Sequence, residues 1–429
     1  MSETRSPVAR VLSIGDEITS GLTVDTNTAW FSRELASLGV RVVSHESTSD
    51  DQPAIEAAIK RLARGTDLLV ISGGIGPTPD DLTREALAAV VGQPVVISEA
   101  WIDRIRQIWA KRGKQMPDAN RKQAGYPEGT ELLDNPVGTA AGVLADVDGC
   151  RVVVVPGVPK EAKAMFDKHV RPLATKLAAD AGGHVLRMRA LHTFGLGESD
   201  VAERLGPVLE RGHFGDELDV GTTASSGVVS VRCYARAETT EHADKLLDDV
   251  EATVREKLGH VVFGTNNDTL PSVLVDLLKE KRQTLVTAES CTGGLIAKLV
   301  TDVSGSSAVF DRAFVTYTND SKAQLVGVDP ATIEEHGAVS TEVVEQMATG
   351  ALKSAGDVAL SVSGVAGPGG GTEAKPVGTV CIGIAWKDGV AAKRFGFHGD
   401  REMVRLRSAL MALGMLRRHL LGLDPLELA

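Results

Sequence analysis

The sequence predicts an α/β protein in which two α/β segments, 1–180 and 266–429, flank a small α+β module at 181–265. Three observations lead there. Buried β-type runs alternate with helical spacing in the first segment, the alternation returns in the last, and the middle has another order. Strand–helix alternation favours a parallel sheet covered by helices on both faces. A chain of 429 residues also suits about three domains at about 150 residues each.

In chain order, 8–14, 67–71 and 152–155 read as buried strands, with amphipathic helices over 28–38 and 52–64. The middle segment reads strand 185–194, helix 198–210, strands 218–224 and 228–235, then a charged helix 240–258. This βαββα order fits a two-layer spacer or dimerisation module. Residues 266–268 read as a linker, and Pro271 sits at a helix start, where its missing N–H matters little. Strands are expected at 284–287, 314–318, 358–362 and 377–386, and helices at 341–354 and 401–421. The last helix carries Val404, Leu406, Leu410, Leu413, Leu416 and Leu420 as one apolar stripe.

Composition narrows the class. With 43% hydrophobic and 24% charged residues the chain has the apolar content to order itself. Its net charge of −11 argues against sequence-independent nucleic-acid binding, which needs Lys and Arg at the phosphates. Cys150, Cys233, Cys291 and Cys381 form no CxxC pair, which disfavours a disulfide framework or a zinc site. No run approaches the ~18 apolar residues of a membrane span, and Met1–Arg10 has no apolar signal segment, so a cytoplasmic protein is expected. The 45 glycines exceed the usual share of about 7% and gather partly in three loops.

The first loop is Ser72-Gly-Gly-Ile-Gly-Pro-Thr-Pro-Asp-Asp-Leu-Thr83, after a strand and before a helix expected to open at Asp80. Gly73, Gly74 and Gly76 let backbone approach a ligand closely, and with Thr78 and a helix N-terminus they offer a phosphate cradle. Asp80 and Asp81, with Asp50 of the Asp50-Asp51 pair, form a candidate divalent-cation site. The plainer reading of Asp80-Asp81 is a helix cap. Asp16 and Glu17 follow the first strand, where open α/β sheets bind ligands, and ordinary solvation accounts for them equally well.

The second loop, Ala288-Glu-Ser-Cys-Thr-Gly-Gly294, also joins strand to helix. Ser290 is a candidate nucleophile, with N–H groups around Thr292, Gly293 and Gly294 available to an oxyanion. Lys322 lies just past a strand and becomes a base if burial strips its proton. Tyr317 is able to donate a hydrogen bond or relay a proton. Spacing alone favours a plainer picture, in which Ser290 caps a helix, Lys322 is solvated and Tyr317 is core. Cys291 competes as nucleophile, since a helix N-terminus lowers a thiol pKa, and as a small buried residue. The third loop, Ser363 to Thr379, repeats the Ser-Gly-x-x-Gly-Pro form of the first. Its Gly367 and Gly370 backbone, with Thr372 and Lys375, reads as a phosphate holder, against a plain solvated loop.

These motifs, with Asn120-Arg-Lys-Gln-Ala124, Asn135-Pro-Val-Gly-Thr139, Pro156-Gly-Val-Pro-Lys-Glu161, Gly337-Ala-Val-Ser340 and Gly399-Asp-Arg-Glu-Met-Val-Arg405, run over nearly the whole chain. The chain resembles the CinA (competence/damage-inducible) family. The resemblance implies a three-layer N-terminal domain similar to molybdopterin-binding proteins and a C-terminal α/β amidase domain. That domain would hydrolyse the carboxamide of nicotinamide mononucleotide to nicotinic acid mononucleotide and ammonia without a cofactor. Ser290 would be the nucleophile and Lys322 and Tyr317 its activators. Thr292 and Gly293 would lie near the oxyanion or substrate, and Arg401 near the phosphate. The N-terminal domain would cleave ADP-ribose-type pyrophosphates with a divalent cation at Asp80, Asp81 and Asp50. Two positions depart from the family pattern: Asp16 stands where members commonly have Thr, and Gly369 where many have Asp.

The competing classes are pterin-nucleotide binding by the first domain and a non-enzymatic, competence-related regulator. The expected partners are the two small molecules, with no nucleic acid or membrane, in a homodimer.

Overall fold

The computed structural model describes residues 7–181, 185–210, 212–213, 215 and 217–427. Residues 1–6 of the Met1–Arg10 stretch and Gly182, at the opening of the middle segment, lie outside them.

The predicted α/β class is observed. The first sheet has six strands in the order Arg41–Thr48, Val8–Ile14, Leu68–Ser72, Cys150–Val155, Gly142–Val147, Glu131–Leu133. The first four run parallel, and the last two pair antiparallel. Leu68–Ser72 is buried at every position, as a central parallel strand with both faces covered requires. The core lies on both faces. Leu12, Ile71 and Val154 pack toward the helices Gln52–Ala63 and Thr83–Val91. Val11, Val70 and Val155 pack toward Phe31, Leu35 and Phe166. Phe31 and Phe166 stack with centroids 5.4 Å apart, worth about 0.5–1.5 kcal/mol beyond burial.

The middle segment forms a four-stranded sheet in the order Leu218–Ser225, Val228–Ala237, Val185–Phe194, Val262–Thr265. The expected βαββα order is there, and the strand Val262–Thr265 adds an edge that local pattern had not marked. The expected helix 198–210 is split: its α-helical part is Glu198–Leu205, and Pro207 sits in a following 3₁₀ turn, Gly206–Leu209.

The C-terminal sheet has five strands, ordered Phe310–Val315, Leu285–Glu289, Val358–Gly364, Thr379–Trp386, Gly389–Gly396. The first three are parallel and the rest antiparallel. The helix Arg401–Leu420 buries Val404, Leu410, Leu413, Leu416 and Leu420 of its predicted stripe, while Leu406 is half-buried. The strand expected at 314–318 lies instead at Phe310–Val315. Thr318 leaves it to cap the helix Asn319–Val326, exchanging hydrogen bonds with Ser321.

The chain divides into two compact units, 1–188 with 234–247 and 189–233 with 248–429. No helix among the described residues is long and apolar enough to cross a membrane.

Candidate active sites

In the C-terminal sheet the strand Leu285–Glu289 ends inside the fold, and the chain turns at Ser290. The turn is fixed from three sides. Ser290 N–H donates to Val362 O at 2.9 Å, Thr316 N–H to Glu289 O at 2.8 Å, and Gly293 N–H to Ser290 O at 3.0 Å. The helix Leu295–Thr301 then starts from Gly294, a left-handed N-cap at φ +88° that offers no side chain. The missing cap comes from Glu289. Its carboxylate is fully buried and accepts the N–H groups of Ile296 at 3.1 Å and Ala297 at 2.9 Å. A carboxylate there suits the helix dipole and satisfies two orphan donors. Sequence reasoning had passed over Glu289. The available signal was a lone acid in a buried strand, six residues before a helix without a capping side chain.

The plainer readings of Ser290, Lys322 and Tyr317 all fail. Ser290 caps no helix: it is 8% exposed, and its Oγ accepts a hydrogen bond from Lys322 Nζ at 3.1 Å. Lys322 is 2% exposed, and its amine also donates to Thr316 O at 2.9 Å. Burial pushes the Lys322 pKa below the ordinary lysine value. Tyr317 is 56% exposed, and its phenol accepts from Arg401 Nη2 at 2.8 Å. Among the described residues no direct hydrogen bond joins that phenol to Ser290 or Lys322. Cys291 is buried, and desolvation pushes its thiol up to about 12, which disfavours the thiolate a nucleophile needs.

The helix Arg401–Leu420 supplies the rim. Arg401 bridges Tyr317 to Gly367 O at 2.8 Å, and Arg405, which closes the motif at 399–405 but had no role assigned from sequence, donates to Thr292 O at 2.7 Å. Gly293 N–H is taken by Ser290 O, whereas the N–H groups of Thr292 and Gly294 meet no protein acceptor among the described residues. Thr292 Oγ1 is buried with no hydrogen-bond partner among the described residues. The rest of the third loop is held elsewhere. Lys375 Nζ donates to His336 O at 2.7 Å, Thr372 closes a local turn with Lys375, and Gly370 is exposed.

In the first sheet, the carboxyl ends of the parallel strands open on a cleft of about 500 Å³. Its lining includes Glu17, Asp50, Gly73, Gly74, Gly76, Thr78, Asp80 and Asp81. Gly73 is obligatory: it sits at φ +109°, and a Cβ there would meet Ile14 O at 2.2 Å. The helix expected at Asp80 begins at Thr83 instead, because Asp81 is engaged inside the loop. The Asp81 carboxylate accepts Gly76 N–H at 2.6 Å and Thr78 N–H at 2.8 Å, and bonds the Thr78 hydroxyl. Asp81 therefore braces the turn, and those two amides of the expected phosphate cradle are already occupied. The pair Asp50-Asp51 splits: Asp51 caps the helix Gln52–Ala63, while Asp50 lines the cleft. Asp16 and Asp50 exchange N–H to carboxylate bonds of 2.9 and 3.2 Å. Partial burial raises the Asp50 pKa; the Asp16 N–H opposes this, while the facing carboxylates of Asp16, Glu17 and Asp80 add to it.

Three family models match in succession. The one described as Probable molybdopterin binding domain covers residues 10–176, Damage-inducible protein CinA KH domain covers 188–264, and CinA C-terminal domain covers 267–420. A CinA-like protein of Geobacter sulfurreducens is 42% identical over 411 residues, spanning 96% of this chain and 98% of that protein. The chain belongs to the CinA family. A CinA-like protein of Geobacter metallireducens is likewise 42% identical over 414 residues, spanning 96% and 99% of the two chains. The crystal structure of competence/damage inducible protein CihA from Agrobacterium tumefaciens is 43% identical, and the match covers 34% of this chain and 91% of that one with a TM-score of 0.34. Within this CinA protein, the Ser290–Lys322 pair lies in the C-terminal match and the acidic cleft in the first.

Proposed function

We propose that this CinA protein hydrolyses the carboxamide of nicotinamide mononucleotide at Ser290. The observation that carries the reading is the buried 3.1 Å contact between Lys322 Nζ and Ser290 Oγ. A serine hydroxyl is a weak nucleophile until a base takes its proton, and a lysine is a base only when neutral. Burial lowers the Lys322 pKa and so favours the neutral form; in that form the amine keeps one hydrogen on the Thr316 carbonyl and turns its lone pair, rather than an N–H, toward the Ser290 hydroxyl proton. Ser290 Oγ bonds to the amide carbon while its proton passes to Lys322. The oxyanion faces the unengaged N–H groups of Thr292 and Gly294. The C–N bond then breaks, and Lys322 returns the proton to the leaving nitrogen, which departs as ammonia. Water attacks the acyl-enzyme with Lys322 again as base, the C–Oγ bond breaks, and Ser290 recovers its proton. Arg401, beside the exposed Tyr317, is the cation at the mouth for the substrate phosphate.

The N-terminal cleft supports a second activity, cleavage of an ADP-ribose-type pyrophosphate with a divalent cation. Among the described residues no group of three His, Cys, Asp or Glu side chains is placed to hold a metal ion alone. The donors fit a cation carried largely by substrate phosphates and water, with one or two carboxylates, as Mg²⁺ commonly binds. Asp50 and Asp80 would hold it, and it would neutralise phosphate charge. Asp81 is committed to the loop. Pterin-nucleotide binding is the alternative for this cleft, favoured by the molybdopterin-binding family match. Incubation with nicotinamide mononucleotide and with ADP-ribose, each with and without divalent metal, tests both readings. Metal-independent ammonia release and metal-dependent phosphate-ester products are expected. Absence of ammonia overturns the first reading, and intact ADP-ribose beside tight molybdopterin binding overturns the second.

A further inference from the structure

Arg84 stands in the second position of the helix Thr83–Val91 and is 1% exposed. Its guanidinium points into the fold behind the N-terminal cleft. Nη1 donates to Ile75 O at 2.8 Å, and Nη2 to Gln123 O at 3.3 Å and Ala141 O at 3.1 Å. Nε is buried with no partner among the described residues. The three carbonyls belong to three chain segments, and Ile75, Gln123 and Ala140, the neighbour of Ala141, all line the cleft. Burying a guanidinium against neutral carbonyls is unfavourable, and desolvation brings its pKa down to about 10. An apolar side chain would fill the same space without that penalty. A planar fork, however, reaches carbonyls in several directions at once, which neither an apolar group nor a point-like ammonium does.

Lys122 acts on the same loop from outside, donating to Thr78 O at 3.1 Å and Pro79 O at 3.2 Å. Between them the two cations hold the loop's carbonyl side, while Asp81 holds two of its amides. The cleft lining also carries Glu17, Asp50, Asp80 and Asp81, and of these the Asp81 carboxylate, with Glu85 of the same helix as Arg84, acts electrostatically on the buried Arg84 guanidinium.

We propose that Arg84 is a positioning residue of the N-terminal cleft, clamping its three backbone walls in register for an anionic, phosphate-bearing ligand. The ligand class rests on the pyrophosphatase reading above; the clamp does not. The test compares full-length wild type with Arg84→Gln and Arg84→Lys. Circular dichroism reports the fold, hydrogen exchange reports the loops, and calorimetry with Mg²⁺ reports binding of ADP-ribose and of inorganic pyrophosphate. Both variants are expected to fold. Exchange in 72–82, 119–124 and 138–142 should quicken selectively, and binding should weaken by about tenfold or more in Arg84→Gln and less in Arg84→Lys, which keeps the charge. Where Arg84→Gln loses its fold, Arg84→Lys decides by the same readings. Wild-type exchange in all three segments overturns the clamp. Failure of wild type to bind either anion overturns the ligand class alone, and the exchange data still decide the positioning role.

Discussion

Lys322 is the residue on which the proposed amidase chemistry turns. A base must be unprotonated at rest, and burial is the cause that depresses its pKa. The rate of ammonia release should therefore rise with pH along a limb set below the ordinary lysine value of 10.5. The sign follows from the neutral form being the active one: activity is lost as pH falls through the depressed pKa. A pH profile of kcat/KM checks this, and a limb at or above the ordinary value contradicts it. Lys322→Met should lower the rate by about 10²–10⁴-fold, the usual worth of a positioned base. The identity of this pair was legible in the sequence only through family resemblance. Thirty-two residues separate Ser290 from Lys322, and what makes the lysine a base is burial, which spacing does not encode. Tyr317 shows the converse. On spacing alone this aromatic, inside the expected strand 314–318, read as core, but the strand ends at Val315, and the ring is left at the surface with Arg401.

At the scale of elements, the nucleophile turn depends on a cap borrowed from the strand before it. Glu289→Ala would orphan the N–H groups of Ile296 and Ala297 in a buried site, at about 1–3 kcal/mol. Thermal unfolding should show the loss, and ammonia release should fall with it because the next residue is Ser290. Glu289→Gln keeps one carbonyl acceptor and turns an NH₂ toward the other amide, so it should fall between the two. An unchanged unfolding temperature in Glu289→Ala would refute the cap. The long, strongly periodic elements were legible: the helix Thr240–Leu258 and the strand Val185–Phe194 have the bounds the pattern predicts. The shifts came where side chains compete with the ladder. Thr318 left its expected strand to cap a helix, and Asp81 held back a helix start by bracing its loop. The same strand begins early, at Phe310, because an edge position tolerates the exposed Asp311 and Arg312 that break an apolar run.

At the scale of the whole molecule, the two candidate sites occupy different compact units, and each makes its own chemical demand. On the proposed reading the acidic cleft asks for a cation, whereas the Ser290 site would work by a serine and a lysine. A chelator should therefore stop ADP-ribose cleavage and leave ammonia release unchanged, with products of both reactions followed in one sample. Loss of both activities would contradict this division. The division into units was less legible than the sheets. Alternation of strands and helices reports local layers, but the units part within the small middle sheet, where partners are set by contacts far apart in sequence. Glycine was a better guide. Its surplus marked loops at strand ends, and Gly73 and Gly294 there adopt backbone that other residues avoid. Arg84 and Glu289, the charged side chains that hold those loops from inside, gave no such compositional sign.

The most direct measurement is ammonia release from nicotinamide mononucleotide by wild type and Ser290→Ala, with circular dichroism on both. Release by wild type and none above background by a fully folded Ser290→Ala is the predicted result. Release by the folded variant at the wild-type rate would contradict it, since the hydroxyl beside Lys322 would then have no part in the reaction.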